Sequence, residues 1–153
     1  MSVTLQRRFD FALGGGRPLH TVSGVMGLFD VTEDDVLYLI EDGQFAWAFD
    51  IATPGARKRE IRIWRRCIML RQGGDFTAEA TIADVLEDIL PKPHLPTIRA
   101  VSLCRAFNCS SSHIGHLISL GCLQEEASDR GITVTRILTR SSVERFLAER
   151  RVQ

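Results

Sequence analysis

The sequence predicts a mainly α fold with small β-hairpins, built as two similar units in tandem. Several short segments carry apolar residues at the spacing of one helix face, and residues typical of turns separate them. The residue pattern of 22–45 recurs 78 positions later, which indicates an internal repeat. An amphipathic stretch and a proline-rich segment lie between the two copies and indicate a linker.

The repeat aligns without a gap. Four of the 24 positions from 22 to 45 are identical in the second copy, namely Phe29 with Phe107, Leu39 with Leu117, Ile40 with Ile118 and Gly43 with Gly121. Conservative matches surround them, including Asp30 with Asn108 and Thr32 with Ser110. The apolar residues, the helix-capping residues and the helix-ending glycines occupy matching positions in the two segments. We therefore interpret the chain as two diverged copies of one small unit.

Each copy begins with a predicted pair of helices. Apolar residues at helical spacing predict a first helix over 22–29, and over 101–107 in the second copy. After a short turn, Thr32 or Ser110 supplies the side-chain oxygen that caps the second helix. Thr32 and Asp35 also have nearly the spacing of a capping box.

A glycine, Gly43 or Gly121, ends the second helix of each copy, since glycine accepts the left-handed conformation found there. The following residues are typical of a two-stranded hairpin: "FAWAFDI" and "EIRIW" flank a turn in the first copy, and "GITVTRIL" is strand-like in the second. A last helix closes each unit, "RRCIMLRQ" and "SSVERFLAERR", and Thr139 is the expected cap of the latter.

The linker has two parts. Apolar residues recur along one face of 82–90, as in an amphipathic helix, and "PKPHLP" then holds the chain extended and stiff. We therefore predict an N-terminal unit over 1–75, a linker helix with a proline-rich connector over 76–96, and a C-terminal unit over 97–153.

Composition indicates an ordinary globular chain. The 153 residues are 44% hydrophobic and 25% charged, with 19 basic and 19 acidic side chains. The four cysteines show neither C-x-x-C pairing nor the dense spacing of a disulfide scaffold, and no apolar run is long enough for a membrane span or a secretion signal. We expect a cytoplasmic protein, associated with the nucleoid when it binds DNA, with no membrane partner. No catalytic or nucleotide-binding motif stands out, so we expect a non-enzyme without a cofactor.

The order of elements in each copy resembles the excisionase-like, MerR-related winged helix-turn-helix domain. The resemblance rests on the capped second helix ending in "LISLG", the hairpin, and the closing "TRSSVERFLAERR". It covers 97–151 well and 19–72 more loosely. In that family the second helix enters the DNA major groove and the hairpin, the wing, lies along the backbone.

Carried onto this sequence, the resemblance implies DNA-contacting residues in the C-terminal unit. The groove-facing positions are Ser111, Ser112, His113 and His116, and the wing positions are Arg130, Thr133 and Arg136. This chain departs from the pattern because Ser111 and Gly115 stand where relatives usually carry arginine or tyrosine. The bidentate guanine contact that arginine makes is therefore missing from the helix itself.

The second helix of the first copy is acidic. Glu33, Asp34 and Asp35 occupy the first turn, and a DNA backbone would repel them. Its predicted wing is basic and includes Arg57, Lys58 and Arg59, with Arg62, Arg65 and Arg66 close behind. The sequence leaves open whether this basic cluster contacts phosphates, acids on a partner, or only solvent.

Two functions remain open. The first is a sequence-specific DNA-binding protein, acting as a transcriptional regulator or as an excisionase-like accessory factor in recombination, with double-stranded DNA as its partner. The second is a protein-binding winged-helix adaptor in phage or mobile-element assembly. A homodimer or protein partner could use the N-terminal unit or the 82–90 helix. A zinc site of Cys109, His113, His116 and Cys122 is the weaker interpretation, so we expect no metal.

Overall fold

The computed structural model describes residues 16–71, 80–90, 95–126 and 136–152. Within these residues the chain is mainly α, with seven helices and two small antiparallel sheets. The predicted class of a mainly α fold with small β elements is thus confirmed. None of the helices described is both long enough and apolar enough to cross a membrane.

The first half opens with three elements: β1 (Leu19–Thr21), α1 (Val22–Phe29) and α2 (Glu33–Glu41). Asp30 ends α1 in the left-handed conformation, with φ of 54°. The predicted capping box of α2 is present: Thr32 Oγ1 accepts from the Asp35 N–H at 3.2 Å, and Asp35 accepts from the Thr32 N–H at 3.0 Å. Gly43, with φ of 81°, follows α2 as expected.

A hairpin and a helix complete this half: β2 (Ala48–Asp50), β3 (Ile61–Trp64) and α3 (Arg65–Arg71). The two hairpin strands are antiparallel, with Phe49 opposite Arg62. The hairpin and closing helix of the first copy are therefore confirmed. β1, which the sequence pattern did not predict, pairs with the other edge of β3 and places Thr21 opposite Arg62.

The linker region contains α4 (Ile82–Ile89), which a second capping box between Thr81 and Asp84 begins. Most of its predicted apolar face packs inside the chain, since Val85, Ile89 and Leu90 are buried, whereas Ile82 is exposed. Most of the proline-rich connector, residues 91–94, lies outside the described residues.

The second half contains β4 (Thr97–Arg99), α5 (Ala100–Phe107), α6 (Ser111–Ser119), β5 (Ile137–Thr139), α7 (Arg140–Glu149) and β6 (Arg151–Val152). β4 and β5 pair as a separate antiparallel sheet. Thr139 stands at the N-cap of α7, but the expected side-chain cap is absent. Thr139 belongs to β5, and its Oγ1 is buried with no hydrogen-bond partner among the described residues. The N-terminal part of the predicted strand "GITVTRIL", residues 131–135, lies outside them.

The elements of the first half recur in the second. β1, α1 and α2 reappear 78 positions later as β4, α5 and α6, each with the same length. The start of each closing helix is also held in the same way, because the Arg65 N–H donates to Pro18 O and the Arg140 N–H donates to Pro96 O, both at 2.9 Å. The internal repeat in the sequence thus corresponds to repeated local structure.

A strand from the second half of the chain pairs with the sheet of the first half. β6, at the end of the chain, pairs with β2 of the first half, so the larger sheet has the order β1-β3-β2-β6. The Asp50 N–H donates to Arg150 O at 2.9 Å beside this pairing. The last strand of the region predicted as the C-terminal unit therefore lies in the sheet of the first half.

The buried side chains form one hydrophobic core that both halves share. Phe45 and Phe49 contribute from the first half, and Phe107 and Phe146 stack at a centroid distance of 5.9 Å in the second. Trp47 and Trp64, which flank the hairpin, are both buried. This shared core fixes α6 relative to the first half of the chain.

Candidate nucleic-acid interface

One flank of α6 is open to solvent while the opposite side packs on the core. Ile114 and Leu117 are buried, whereas Ser112, His116 and Ser119 are exposed at positions i, i+4 and i+7 of one helix face. We call this face the α6 flank. It carries hydroxyls and an imidazole and no carboxylate, so it presents hydrogen-bonding groups without negative charge.

The predicted positions Ser111, Ser112 and His116 are all exposed, and the first two lie in the opening turn of α6. Ser110 caps this turn, accepting from the His113 N–H at 3.2 Å. Ser119 was not predicted, although its spacing from Ser112 could have indicated it. Ser119 Oγ donates to Gly115 O at 3.0 Å and remains available as an acceptor.

His113 is turned toward the first half of the chain. Its ring is partly buried, and its Nε2 lies 2.5 Å from Ile51 O, which accepts when that nitrogen carries the proton. This contact occupies a ring nitrogen that was expected to face the groove. His113 instead joins the opening turn of α6 to the end of the β2–β3 hairpin.

The turn of the first hairpin begins at that same point. The Ile51 N–H donates to Glu60 O at 2.9 Å, so the intervening residues form a loop that leaves the sheet beside α6. Arg57, Lys58 and Arg59 are exposed on this loop, and Arg59 makes a long contact of 3.8 Å with Asp50. We call residues 52–60 the basic loop. The base of the basic loop therefore lies at the opening turn of α6, where Ile51 O contacts His113.

The remaining arginines of the predicted basic cluster have internal partners. Arg62 is buried, and its Nε donates to Phe107 O at 3.0 Å while its Nη2 donates to Asn108 O at 3.0 Å. It therefore caps the C-terminus of α5 and is unavailable to a phosphate. Arg65 forms a bidentate pair with Asp88, at 2.8 and 3.1 Å. The exposed part of the cluster thus centres on the basic loop.

Asp88 has two opposing influences on its carboxyl group. Burial raises the pKa, but hydrogen bonds from Arg65 and from the Trp64 indole N–H lower it, and the net pKa lies below the usual value. The carboxylate is therefore charged at neutral pH. It also lies 3.3 Å from Arg66 Nη2, so α4 holds the start of α3 through a charged network.

Arg136 approaches the α6 flank from the start of β5. Its Nη1 lies 3.3 Å from the position that a Cβ on Gly115 would occupy. Its Nε is 3.7 Å from a carboxylate oxygen of Glu125. The other two predicted wing residues, Arg130 and Thr133, lie outside the described residues.

The corresponding face of α2 is acidic. At the positions that match Ser112, His116 and Ser119, α2 carries Asp34, Tyr38 and Glu41. All three are exposed, and Tyr38 is 62% exposed. Hydrogen bonds from Thr32 lower the pKa of Asp35, which adds a further fixed negative charge to the first turn. We call this face the α2 flank, and phosphates would be repelled from it.

Cys109, one of the four residues of the zinc alternative, is a partly buried thiol. Burial, with a smaller contribution from Cys104, raises the pKa of the Cys109 thiol to about 12. Binding zinc would require this thiol to give up its proton, which costs more free energy here than for an exposed cysteine. Across the part of the chain that the structure describes, no group of three or more His, Cys, Asp or Glu side chains could hold a metal.

Comparison of the chain with family models, with curated proteins and with solved structures gives no match. The functional argument therefore rests on the geometry and charge of the α6 flank and its neighbours.

Proposed function

We propose that this chain is a sequence-specific DNA-binding protein made of two tandem winged helix-turn-helix units. In this proposal α6 enters the major groove with its open flank, and the protein acts as a transcriptional regulator or as an accessory factor in recombination. The observation that carries the proposal is the position of an uncharged, hydroxyl-rich helix flank beside an exposed basic loop.

The two surfaces have complementary roles in DNA recognition. Serine hydroxyls and a histidine N–H can reach base edges or phosphates, but they give weaker discrimination than a bidentate arginine. Arg57, Lys58 and Arg59 supply charge that can neutralise phosphates next to the helix. In this arrangement the first copy contributes its wing to the interface and keeps its acidic helix away from DNA.

The adaptor function remains the second candidate because of the α2 flank. Tyr38 stands exposed between Asp34 and Glu41, and an aromatic ring within an acidic surface suits a basic protein partner. The balanced formal charge of the chain also suits a protein-binding role. Both functions could coexist, since the two flanks belong to different helices.

Salt-dependent binding to a fluorescent duplex of random sequence tests the proposal. The DNA-binding function predicts an affinity that falls steeply from low to physiological salt, because bound phosphates release counterions. Replacing Arg57, Lys58 and Arg59 together with alanine should weaken binding to all sequences. The salt slope should also fall by roughly one for each phosphate that the variant no longer neutralises.

Arg145→Ala is the control, since Arg145 is an exposed arginine of α7 and belongs to neither flank. It should leave the affinity and the slope nearly unchanged. If the wild-type chain does not bind the duplex even at low salt, the DNA-binding proposal is wrong and the adaptor function is favoured.

A further inference from the structure

Gly115 is an unusual residue for the middle of a DNA-facing helix. Glycine in a helix interior costs about 1 kcal/mol relative to alanine. The backbone of Gly115 is helical and does not need glycine's conformational freedom. Any structural reason for glycine at this position must therefore come from the atoms that would surround a Cβ.

That space is filled by the end of Arg136. A Cβ on Gly115 would lie 3.3 Å from Arg136 Nη1, a tight contact that the guanidinium would have to relieve by shifting a few tenths of an ångström. The guanidinium therefore rests on the helix in a notch that the missing side chain creates. Gly115 lies one turn from Ser112 and Ser119 and next to His116, so the notch opens onto the α6 flank.

Arg136 is held there only weakly. Its contact with Glu125 is 3.7 Å long, and the side chains of the two residues are 48% and 41% exposed. An exposed ion pair of this kind contributes little free energy, so a DNA acceptor can replace Glu125 at small cost. A guanidinium beside a groove-facing helix can donate two parallel hydrogen bonds to the O6 and N7 atoms of guanine.

We propose that Gly115 and Arg136 together form the principal base-reading element of this chain. Gly115 provides the notch, and Arg136, reaching in from β5, supplies the guanidinium that the helix itself lacks. The inference rests on the proposed DNA-binding function and adds a specificity-determining residue and a base to it. Arg136 then reads guanine next to the positions contacted by Ser112 and His116.

The first test is selection of bound sequences from a pool of random duplexes with the wild-type chain and with Arg136→Ala. The wild type should enrich a motif that contains guanine. The Arg136→Ala motif should lose that guanine and keep its other positions, and affinity for the wild-type motif should fall roughly 5- to 100-fold. An identical motif from both proteins overturns the inference.

Arg136→Lys separates guanine reading from general attraction to phosphates. Lysine keeps the positive charge but lacks the planar fork. Preference for guanine over the other bases at that position should drop by about tenfold or more, while affinity for random duplex stays within about twofold. If lysine fully replaces arginine in both measurements, Arg136 is a phosphate contact and the inference is wrong.

The notch is tested by a double-mutant cycle between the two residues. Gly115→Leu fills the notch with a good helix former, so its thermal stability should match or exceed the wild type. Its affinity for the selected motif should fall about as far as that of Arg136→Ala. In the Arg136→Ala background, Gly115→Leu should then reduce affinity by no more than about twofold.

An independent loss of affinity on adding Gly115→Leu to Arg136→Ala would mean that DNA itself approaches the glycine, and the notch would be excluded. These outcomes differ from failure of the proposed function, in which the wild-type chain enriches no sequence and binds no duplex.

Discussion

His20 is a buried imidazole at the centre of β1, 4% exposed, with no hydrogen-bond partner for its Nε2 among the described residues. Its pKa is lowered from 6.5 to about 4: burial is the main cause, a hydrogen bond with the Arg17 backbone opposes it, and the positive charges of Arg65 and Arg17 add to the lowering. The folded chain therefore holds a neutral imidazole that the unfolded chain would protonate in mild acid.

The low pKa of His20 predicts a loss of stability on mild acidification. Because the folded-state pKa lies below the unfolded value of 6.5, the contribution is complete above pH 6.5 and is lost as the pH falls toward 4. Between about pH 7.5 and about pH 5 the free energy of unfolding should fall by about 2 kcal/mol from this residue alone. Urea unfolding of wild type and His20→Gln measures it, and the variant should lose about 2 kcal/mol less.

His116→Gln is the control for this measurement, since His116 is exposed on α6. Its pH profile should follow the wild type. The lowered pKa of Asp88 does not affect this measurement. Its contribution to the free energy of unfolding is lost only as the pH falls below the usual pKa of an aspartate, which is more acidic than the pH values compared here. Equal slopes for wild type and His20→Gln would contradict the burial argument.

At the scale of elements, the ends of α2 and α6 depend on the same backbone feature. Gly43 and Gly121 have φ of 81° and 78°, in the left-handed region that costs a residue with a Cβ about 1 kcal/mol or more. Gly27 differs, because it lies inside α1, is exposed, and has no atom within 4 Å of an added Cβ. The same chemical change should therefore have opposite signs at these positions.

Gly121→Ala and Gly43→Ala should each lower the free energy of unfolding by about 1 kcal/mol, because alanine is strained at positive φ. Gly27→Ala should raise it by roughly 0.5–1 kcal/mol, because alanine has the higher helix propensity. Urea unfolding of the three variants at neutral pH checks both signs. A stabilising effect at Gly121 would show that the left-handed stop does not determine where α6 ends.

The sequence predicted the local elements well because their signals are local. Helical spacing and caps located α1 and α2, and the hairpin of β2 and β3 lay where alternating apolar residues flank a Pro-Gly turn. The three-residue β1 and β4 and the two-residue β6 were missed. Their formation depends on pairing with distant partners, and segments this short carry no period of their own.

At the scale of the whole molecule, side chains from each half contact specific groups of the other half. Arg62 of β3 caps α5, His113 of α6 contacts Ile51 O, and the Arg151 guanidinium lies 3.5 Å from the centroid of the Trp47 ring. The contact between His113 and Ile51 O places the start of the basic loop at α6. The linear sequence could indicate which residues are basic or hydroxylated, but it could not show that two distant segments share one surface.

The same contacts explain why the exposure of some site residues was predicted correctly and that of others was not. Ser112 and His116 follow from helix periodicity and are exposed as expected. His113 and Arg62 could not be assigned correctly, because their partners are backbone carbonyls in the other half of the chain. Carbonyl oxygens at the end of a helix or strand need hydrogen-bond donors. A polar side chain that the sequence pattern places on the surface can point inward to supply one.

The capping of α5 by Arg62 predicts that the halves lose stability together. Arg62→Met keeps the length of the side chain and removes donors from Phe107 O and Asn108 O, so the free energy of unfolding should fall by about 3 kcal/mol. Arg59→Met, which removes an exposed contact of 3.8 Å with Asp50, is the matched control. It should change the free energy by about 0.5 kcal/mol or less.

Two probes decide whether the effect of Arg62→Met is global. Trp47 and Trp64 report on the first half by fluorescence, whereas far-ultraviolet circular dichroism reports on helices in both halves. Because the core is shared, both signals should move to the same lower urea midpoint in Arg62→Met. If circular dichroism shows an early partial transition while tryptophan fluorescence keeps the wild-type midpoint, α5 and α6 unfold on their own. The basic loop and the α6 flank would then be held together only weakly.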